Sequence, residues 1–306
     1  MSVLVAIGDR DNSKLVSQLQ ARLPKIHIEQ YSQCEDFSKV EFVLAWYAPK
    51  ELWAQLPNLK VVSSFGAGVD SIDLDLLPEH VEVVRIVDSQ LEVDMAEYVL
   101  THVLAQKLQL KEYYQKQAAT QWKPNRVLSH NKVAILGFGQ LGRACAQRLV
   151  DNGFSVSAWA QSHKDVNNVT MYYGEHGLNE MLPNTDYLVC LLPLTENTAG
   201  IINKDLLAKL PAHAVLVNAA RGQHVIEADL LQALNSDSLR AATLDAFDQE
   251  PLPSEHPYWL HPKITITPHC AALSDVNCVI EQIEVSIQCL TNGTPLKNRV
   301  DRTKGY

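Results

Sequence analysis

The stretch Lys132–Val150, KVAILGFGQLGRACAQRLV, decides how this chain folds. Lys132 to Leu136 is an apolar run of strand length, and Leu141 to Val150 has the spacing of an amphipathic helix. Between them stands Gly137-Phe138-Gly139-Gln140-Leu141-Gly142. A GxGxxG alone is a weak signal; set between a strand and a helix it marks a turn built for a dinucleotide. Gly137 permits the tight turn, Gly139 lets the backbone approach a pyrophosphate, and Gly142 lets the helix pack near the strand. The helix N-terminus, at Gln140 and Leu141, then presents free N–H groups and a positive dipole end to the phosphates.

Outward from this stretch, strand-like and helix-like segments alternate along nearly the whole chain. On the N-terminal side, Val3–Gly8, Phe42–Trp46, Lys60–Phe65 and Val81–Ile86 read as strands, and Ser13–Leu23 as an amphipathic helix. A long helical stretch follows from about Val93 to Gln117, then a polar connection at Trp122, Lys123 and Pro124. Beyond the glycine turn, apolar runs recur at Ser155–Trp159, Tyr187–Leu192, Ala214–Ala219, Ala241–Phe247 and Ile264–Thr267. A last helix spans about Ser274 to Leu290. Such alternation predicts the α/β class, with parallel sheets covered by helices on both faces. Two doubly wound domains are expected. A Rossmann dinucleotide-binding domain, residues 98–270, is inserted in a flavodoxin-like domain formed by residues 1–97 and 271–306. The last helix then returns to the first domain.

A length of 306 residues suits two domains. The formal charge of −9 argues against a nucleic-acid partner, which calls for a concentrated basic surface. No apolar run reaches about 18 residues, so no membrane span is expected. Met1 to Gly8 is apolar but runs straight into Asp9, Arg10 and Asp11, unlike a signal peptide. The six cysteines form no CxxC pair, which points to buried apolar thiols in a reducing compartment, the cytoplasm. The His and Glu residues show no metal-ligand spacing, so no metal is expected.

The strand after the glycine turn should end on a residue that reads the adenosine ribose. An NAD site places Asp or Glu about 20 residues beyond the glycines. Here Ala160 stands at that position, followed by Gln161, Ser162, His163 and Lys164, and no carboxylate occurs before Asp165. Without an acid there is no repulsion against a 2′-phosphate, and Ser162, His163 and Lys164 offer it partners. The loop thus favours NADPH, with NADH possible; a solvated polar turn is the plainer alternative. Farther on, Arg221 follows one apolar run, Glu250 follows Leu244–Phe247, and His269 follows Ile264–Thr267. In doubly wound sheets the ligand crevice lies at such strand ends.

Six segments together carry a resemblance to a known family. They are GAGVD at Gly66–Asp70, GFGQLG at Gly137–Gly142, LPLT at Leu192–Thr195, NAARG at Asn218–Gly222, LDAFDQEP at Leu244–Pro251 and TPH at Thr267–His269. The chain resembles the D-isomer-specific 2-hydroxyacid dehydrogenases, over both domains. Ala45-Trp46 with Pro49, Phe65–Ile72, Val300-Asp301-Arg302 and Gly305-Tyr306 make it similar to a bacterial, NADPH-preferring branch of that family.

The resemblance implies reduction of small 2-oxo acids, glyoxylate to glycolate and hydroxypyruvate to D-glycerate. It makes residues 1–97 and 271–306 the substrate domain. Arg221 would clamp the substrate carboxylate and carbonyl with its planar fork of donors. His269 would give the carbonyl oxygen a proton, and Glu250 would orient the imidazole and favour its charged form. Backbone N–H groups around Ala67 and Gly68 would hold the carboxylate, with Trp46 closing the pocket. Asp245 would lie near the nicotinamide; Leu192, Pro193, Thr198 and Ala219 would line the cofactor groove. A homodimer is implied as well. Two relatives with the same fold stand as alternatives. Formate dehydrogenases carry Gln where this chain has Glu250. NAD(H)-sensing corepressors keep the Arg, Glu and His set but act as binding proteins.

Overall fold

The computed structural model describes residues 2–8, 11–161 and 166–303. The chain divides into two compact units, cut at Ser89/Gln90 and Leu273/Ser274, so the N-terminal and C-terminal segments share one unit and the middle of the chain forms the other.

The first unit is a five-stranded parallel sheet. Its strands are β1 (Ser2–Ile7), β2 (His27–Gln30), β3 (Val40–Trp46), β4 (Val61–Ser64) and β5 (Glu82–Val84), in the order β2-β1-β3-β4-β5. That is the flavodoxin-like order, 2-1-3-4-5. Every residue of β1 is buried because both faces of the sheet are covered. Val3, Val5 and Ile7 point to one face. There Leu15 and Leu19 of the helix Ser13–Arg22 pack with Val279, Ile283 and Ile287 of the helix Val276–Asn292. Leu4 and Ala6 point to the other face, against Leu52, Trp53 and Leu56. Burying each of these large aliphatic side chains contributes about 1.5–3 kcal/mol. The C-terminal helix therefore belongs to the core of the first unit.

The second unit is a seven-stranded parallel sheet. It comprises β6 (Lys132–Leu136), β7 (Ser155–Ala160), β8 (Val169–Tyr173), β9 (Tyr187–Cys190), β10 (Val215–Asn218), β11 (Ala241–Leu244) and β12 (Ile264–Ile266), in the order β12-β11-β10-β9-β6-β7-β8. Counted within the unit, the first six strands take the Rossmann order 3-2-1-4-5-6, and β12 extends the edge. The chain leaves β6 toward β7 and β8, then returns on the other side through β9. The switch point thus lies between β6 and β9, where the glycine turn emerges. One face carries Val133, Ile135, Val189 and Val217 under Met95, Val99 and Val103 of the helix Ser89–Leu108. The opposite face carries Ala134, Leu136, Leu188 and Leu216.

Two details differ from the sequence reading. The expected single helix over Val93–Gln117 is two helices, Ser89–Leu108 and Leu110–Ala118. They meet at Gln109, whose backbone is left-handed (φ 58°) and whose side-chain amide donates to Arg126 O at 2.7 Å. Strands β2 and β8 are additions. Each is the edge of its sheet, and only Ile28 of β2 and no residue of β8 is fully buried.

Candidate active site

Local sterics show which glycines of the turn serve the fold and which serve something else. Gly137 has φ +97°, and a Cβ there would lie 2.7 Å from Leu191 O, so the turn accepts only glycine. At Gly142 a Cβ would sit 2.2 Å from Gly137 O, which fixes how closely the helix Gln140–Asp151 approaches the strand. Gly139 is different: a Cβ there would meet no protein atom within 4 Å. Nothing in the protein requires glycine at this exposed position. What a side chain would fill is the open space over the loop, where a pyrophosphate would lie. The helix starts at Gln140 with no side-chain cap and no acid in its first turn, leaving its dipole end uncompensated. These residues fit a dinucleotide.

The rest of the groove is built around this turn. Leu192 and Thr198 are buried, and the Thr198 hydroxyl donates to Pro193 O (2.7 Å) while accepting from Thr195 N–H (2.8 Å), which folds that loop shut. Ala219, also buried, donates its N–H to Cys190 O at 3.3 Å. At the end of β7, Ala160 is buried and Gln161 exposed. Ser162 and Lys164 lie outside the described residues.

Three successive strands of the second unit deliver the polar groups. Arg221 follows β10, on a loop pinned by Asn218, whose amide donates to Arg221 O at 2.8 Å and accepts from Ala220 N–H at 3.2 Å. The next residue, Gly222, lies so close to the loop after β11 that a Cβ would sit 2.0 Å from the carbonyl carbon of Phe247. This contact presses the Arg221 loop against the segment that carries Glu250. Glu250 Oε1 accepts from Phe247 N–H at 2.8 Å, and Oε2 lies 2.7 Å from His269 Nδ1. His269 follows β12 with a left-handed backbone, φ +49°. With Nδ1 committed to Glu250, the ring's Nε2 remains to act.

The electrostatics follow from this packing. The hydrogen bond to Glu250 is the main influence that raises the His269 pKa. Burial opposes it, the Glu250 charge adds to it, Arg221 works against it and Asp245 for it. Burial alone would push the Glu250 carboxyl up. Hydrogen bonds from His269 and the Phe247 amide, with the charges of His269 and Arg221, outweigh that and hold it below the usual range.

In the first unit, Trp46 ends β3, and Ala67 and Gly68 follow β4. The Trp46 ring lies over Gly66, 3.0 Å from where a Cβ would stand. Ser64 shapes the loop, its hydroxyl donating to Gly68 O (2.6 Å) and accepting from Gly66 N–H (3.2 Å). Trp46, Ala67 and Gly68 therefore share the carboxyl edge of their own sheet.

The structure also adds residues that the sequence reading passed over. His224 is fully buried behind Arg221, with Nδ1 3.2 Å from Arg221 N and Nε2 3.3 Å from Pro193 O, so it ties the arginine loop to the groove. Asp245, which the family resemblance had already singled out, is 2 % exposed and accepts from Thr267 Oγ1 and from the N–H groups of Cys270 and Ala271. Thr267 in turn contacts Tyr98. Proximity to NAARG and TPH was the only available signal for His224 and Thr267; nothing in the sequence marks Tyr98.

Sheet order, glycine turn and the Arg, Glu and His edge define a dinucleotide-binding unit of the dehydrogenase class. Residues 100–271 match the D-isomer specific 2-hydroxyacid dehydrogenase, NAD binding domain. A glyoxylate/hydroxypyruvate reductase A of Yersinia enterocolitica is 39 % identical over 300 residues, 95 % of either chain. An NADPH-dependent glyoxylate/hydroxypyruvate reductase of Sinorhizobium meliloti, solved with NADP and sulfate, is 35 % identical with a TM-score of 0.91 and full coverage of both chains (100 %). A D-isomer specific 2-hydroxyacid dehydrogenase of Xanthobacter autotrophicus, solved with NADPH and MES, is 33 % identical, covering 100 % of this chain and 99 % of that one at a TM-score of 0.89. The chain belongs to the D-isomer specific 2-hydroxyacid dehydrogenase family.

Proposed function

We propose that this protein reduces small 2-oxo acids with NADPH, glyoxylate to glycolate and hydroxypyruvate to D-glycerate. The observation that carries the reading is the 2.7 Å pair of His269 and Glu250, beside the Arg221 loop at the carboxyl edge of a dinucleotide-binding sheet. When bound, the dihydronicotinamide supplies the hydride. Gly137, Gly139, Gln140, Leu141 and Gly142 would hold the pyrophosphate; Gln161, Ser162 and Lys164 are, by their place in the sequence, the candidates for the ribose end. Leu192, Pro193, Thr198, Ala219 and Asp245 border the groove.

Arg221 binds the substrate carboxylate and polarises the carbonyl with paired N–H donors. A carbonyl accepts hydride readily only if its developing oxyanion is neutralised. His269 does this by passing the Nε2 proton to that oxygen, while Nδ1–H stays on Glu250. Glu250 keeps the ring oriented and the acid form populated to higher pH. Trp46, Ala67 and Gly68, on the carboxyl edge of the first unit's own sheet, are carried over from the family resemblance as substrate-binding residues, the first to limit size and the others through backbone N–H groups. The six free thiols fit a cytoplasmic setting, and a homodimer is carried over from the family resemblance. Among the described residues no helix is long and apolar enough to cross a membrane.

The test is steady-state kinetics with both reduced cofactors against glyoxylate, hydroxypyruvate and phenylpyruvate. NADPH with either small acid should give the highest kcat/KM. Preference for NADH would remove the cofactor assignment, and preference for phenylpyruvate the small-pocket assignment. An NAD(H)-sensing binding protein would bind cofactor without turnover.

A further inference from the structure

We propose that Thr267 and Tyr98 are positioning residues for His269, acting through the buried carboxylate of Asp245; the proposal rests on His269 being the acid of the reduction above. Among the described residues neither side chain is hydrogen-bonded to the His269 to Glu250 pair, although the Thr267 carbonyl accepts the His269 N–H at 3.1 Å. Their effect runs through the turn that carries the histidine.

That turn hangs on one residue. The Asp245 carbonyl accepts the His269 N–H at 2.8 Å. Its carboxylate accepts the Thr267 hydroxyl (2.6 Å) and the N–H groups of Cys270 and Ala271 (3.0 Å each). Four of the five residues from Thr267 to Ala271 are thus bonded to Asp245, and Pro268 has no N–H to give. This over-determination holds His269 at φ +49°, a conformation a non-glycine residue seldom adopts without such support. The side chain leaves a left-handed residue in a set direction, so the geometry of the turn fixes where the ring meets Glu250.

The direction of the hydrogen bonds follows from the chemistry. An ionised carboxylate only accepts, so the Thr267 hydroxyl spends its single proton on Asp245. Tyr98, 2.6 Å from Thr267 Oγ1, must then be the donor to Thr267. Burial pushes the Tyr98 phenol up, so it stays protonated and keeps donating. The result is a one-way chain from Tyr98 O–H to Thr267 O–H to Asp245 Oδ1, whose members polarise one another. Asp245 is 2 % exposed, so these donors are what satisfies its buried carboxylate oxygens. If it served only as a spacer, a neutral residue would avoid that desolvation cost. A buried anion beside the acid also favours the imidazolium.

The charged and titratable groups facing His269 are Glu250, Arg221 and Asp245. Around Asp245 stand His102, whose ring lies 4.2 Å from that of Tyr98 and tilted 45° to it, and Cys270. Thr267→Val removes the hydroxyl at nearly constant volume and replaces none of these groups, withdrawing one hydrogen bond from Asp245. The turn should slacken, the ring should pair less well with Glu250, and the acid should weaken.

The experiment compares the full-length parent with Thr267→Val, Thr267→Ser and Tyr98→Phe. The valine variant should lose about tenfold in kcat, the value of one hydrogen bond to a charged group. NADPH affinity, read by fluorescence titration, should stay within about twofold, and the high-pH limb of kcat/KM should move to lower pH. The serine variant should restore both, and Tyr98→Phe should act in the same direction but less. The His269 ring titration, followed by proton NMR without substrate, should shift downward in the valine variant. An unchanged ring titration in Thr267→Val, or a serine variant as impaired as the valine one, overturns the proposal. A parent that titrates as expected yet oxidises no NADPH with any 2-oxo acid would instead remove the functional reading.

Discussion

The second sheet carries a histidine to carboxylate pair at each of its two ends. At the carboxyl end His269 Nδ1 lies 2.7 Å from Glu250; at the amino end His213 Nε2 lies 2.8 Å from Asp186. The distances are nearly equal, but the second oxygens have different work. Glu250 spends its other oxygen on Phe247 N–H within its own loop, leaving the histidine at the rim of the cofactor groove. Asp186 spends its other oxygen on Asn131 N–H (2.8 Å) and Lys132 N–H (2.9 Å), fastening the start of β6 beside the start of β9. Burial would raise the Asp186 carboxyl; the Lys132 amide, His213 and the Asn131 amide outweigh it and hold it low. In the proposed function the first pair shapes a proton donor, whereas the second clasps two strands. Strand polarity separates them, since ligands of open parallel sheets gather at carboxyl ends.

A third ring sharpens the contrast. His130 stacks on His213 at 4.1 Å, and the donor atoms of His130, Asp186 and His213 lie within 4.8 Å of one another. Burial lowers the His130 pKa, and so do the positive charges of His213, Arg240 and Lys107, with Asp186 alone opposing. That surrounding charge works against a divalent cation at the amino end and suits a neutral stacked ring.

The largest separation between the ends should come from deleting the histidines. His269→Ala should lower kcat by about two to four orders of magnitude, the usual worth of a positioned general acid, with NADPH binding intact. His213→Ala should leave kcat within about twofold of the parent, because the pair sits at the amino end of the sheet while ligands of open parallel sheets gather at the carboxyl ends. A comparable loss in both variants would break the distinction. Arg221→Ala should follow in size, raising KM and lowering kcat together, since the guanidinium serves both the bound carboxylate and the polarised carbonyl. A change in KM alone would confine Arg221 to binding.

Asp186→Ala should show the reverse profile. Activity per folded molecule should hold, while losing hydrogen bonds to a charged group should cost about 1.5 kcal/mol, a fall in Tm of about 3–6 °C. The sign with pH follows from the depressed carboxyl pKa. The parent's advantage is complete above the ordinary Asp range and disappears as pH falls through the lowered value in the folded state. Thermal scans of both proteins across acidic pH check this; a gap that widens toward low pH would contradict it.

The two ends were also unequally legible in the sequence. Arg221, Glu250 and His269 each follow a buried apolar run, so strand polarity alone placed them on one edge. His130, Asp186 and His213 precede their strands and sit far apart in the chain with no ligand-like spacing; only pairing of β6, β9 and β10 gathers them. The same logic applies to the elements. Interior strands read as continuous apolar runs because both faces are covered. HIEQ of β2 and VTMYY of β8 lie at sheet edges, are half-exposed, and give no such run. The break at Gln109 was hidden because Val93–Gln117 keeps helical character on both sides, and the left-handed residue is glutamine, not glycine. Asp245 was placed near the cofactor by family likeness, but its hold on the His269 turn depends, besides the Thr267 hydroxyl, on three backbone amides, which leave no trace in residue identity.

The central claim is that Glu250 governs the acid strength of His269, and the direct measurement is the pH dependence of reductive kcat/KM for Glu250→Gln beside the parent. Reduction needs His269 protonated, and the hydrogen bond and charge of Glu250 raise its pKa. Glutamine keeps the shape and removes the charge, so the high-pH fall should move to lower pH. Superimposable profiles would mean that Glu250 does not set the acid, and the pair at the carboxyl end would be no more than a second clasp.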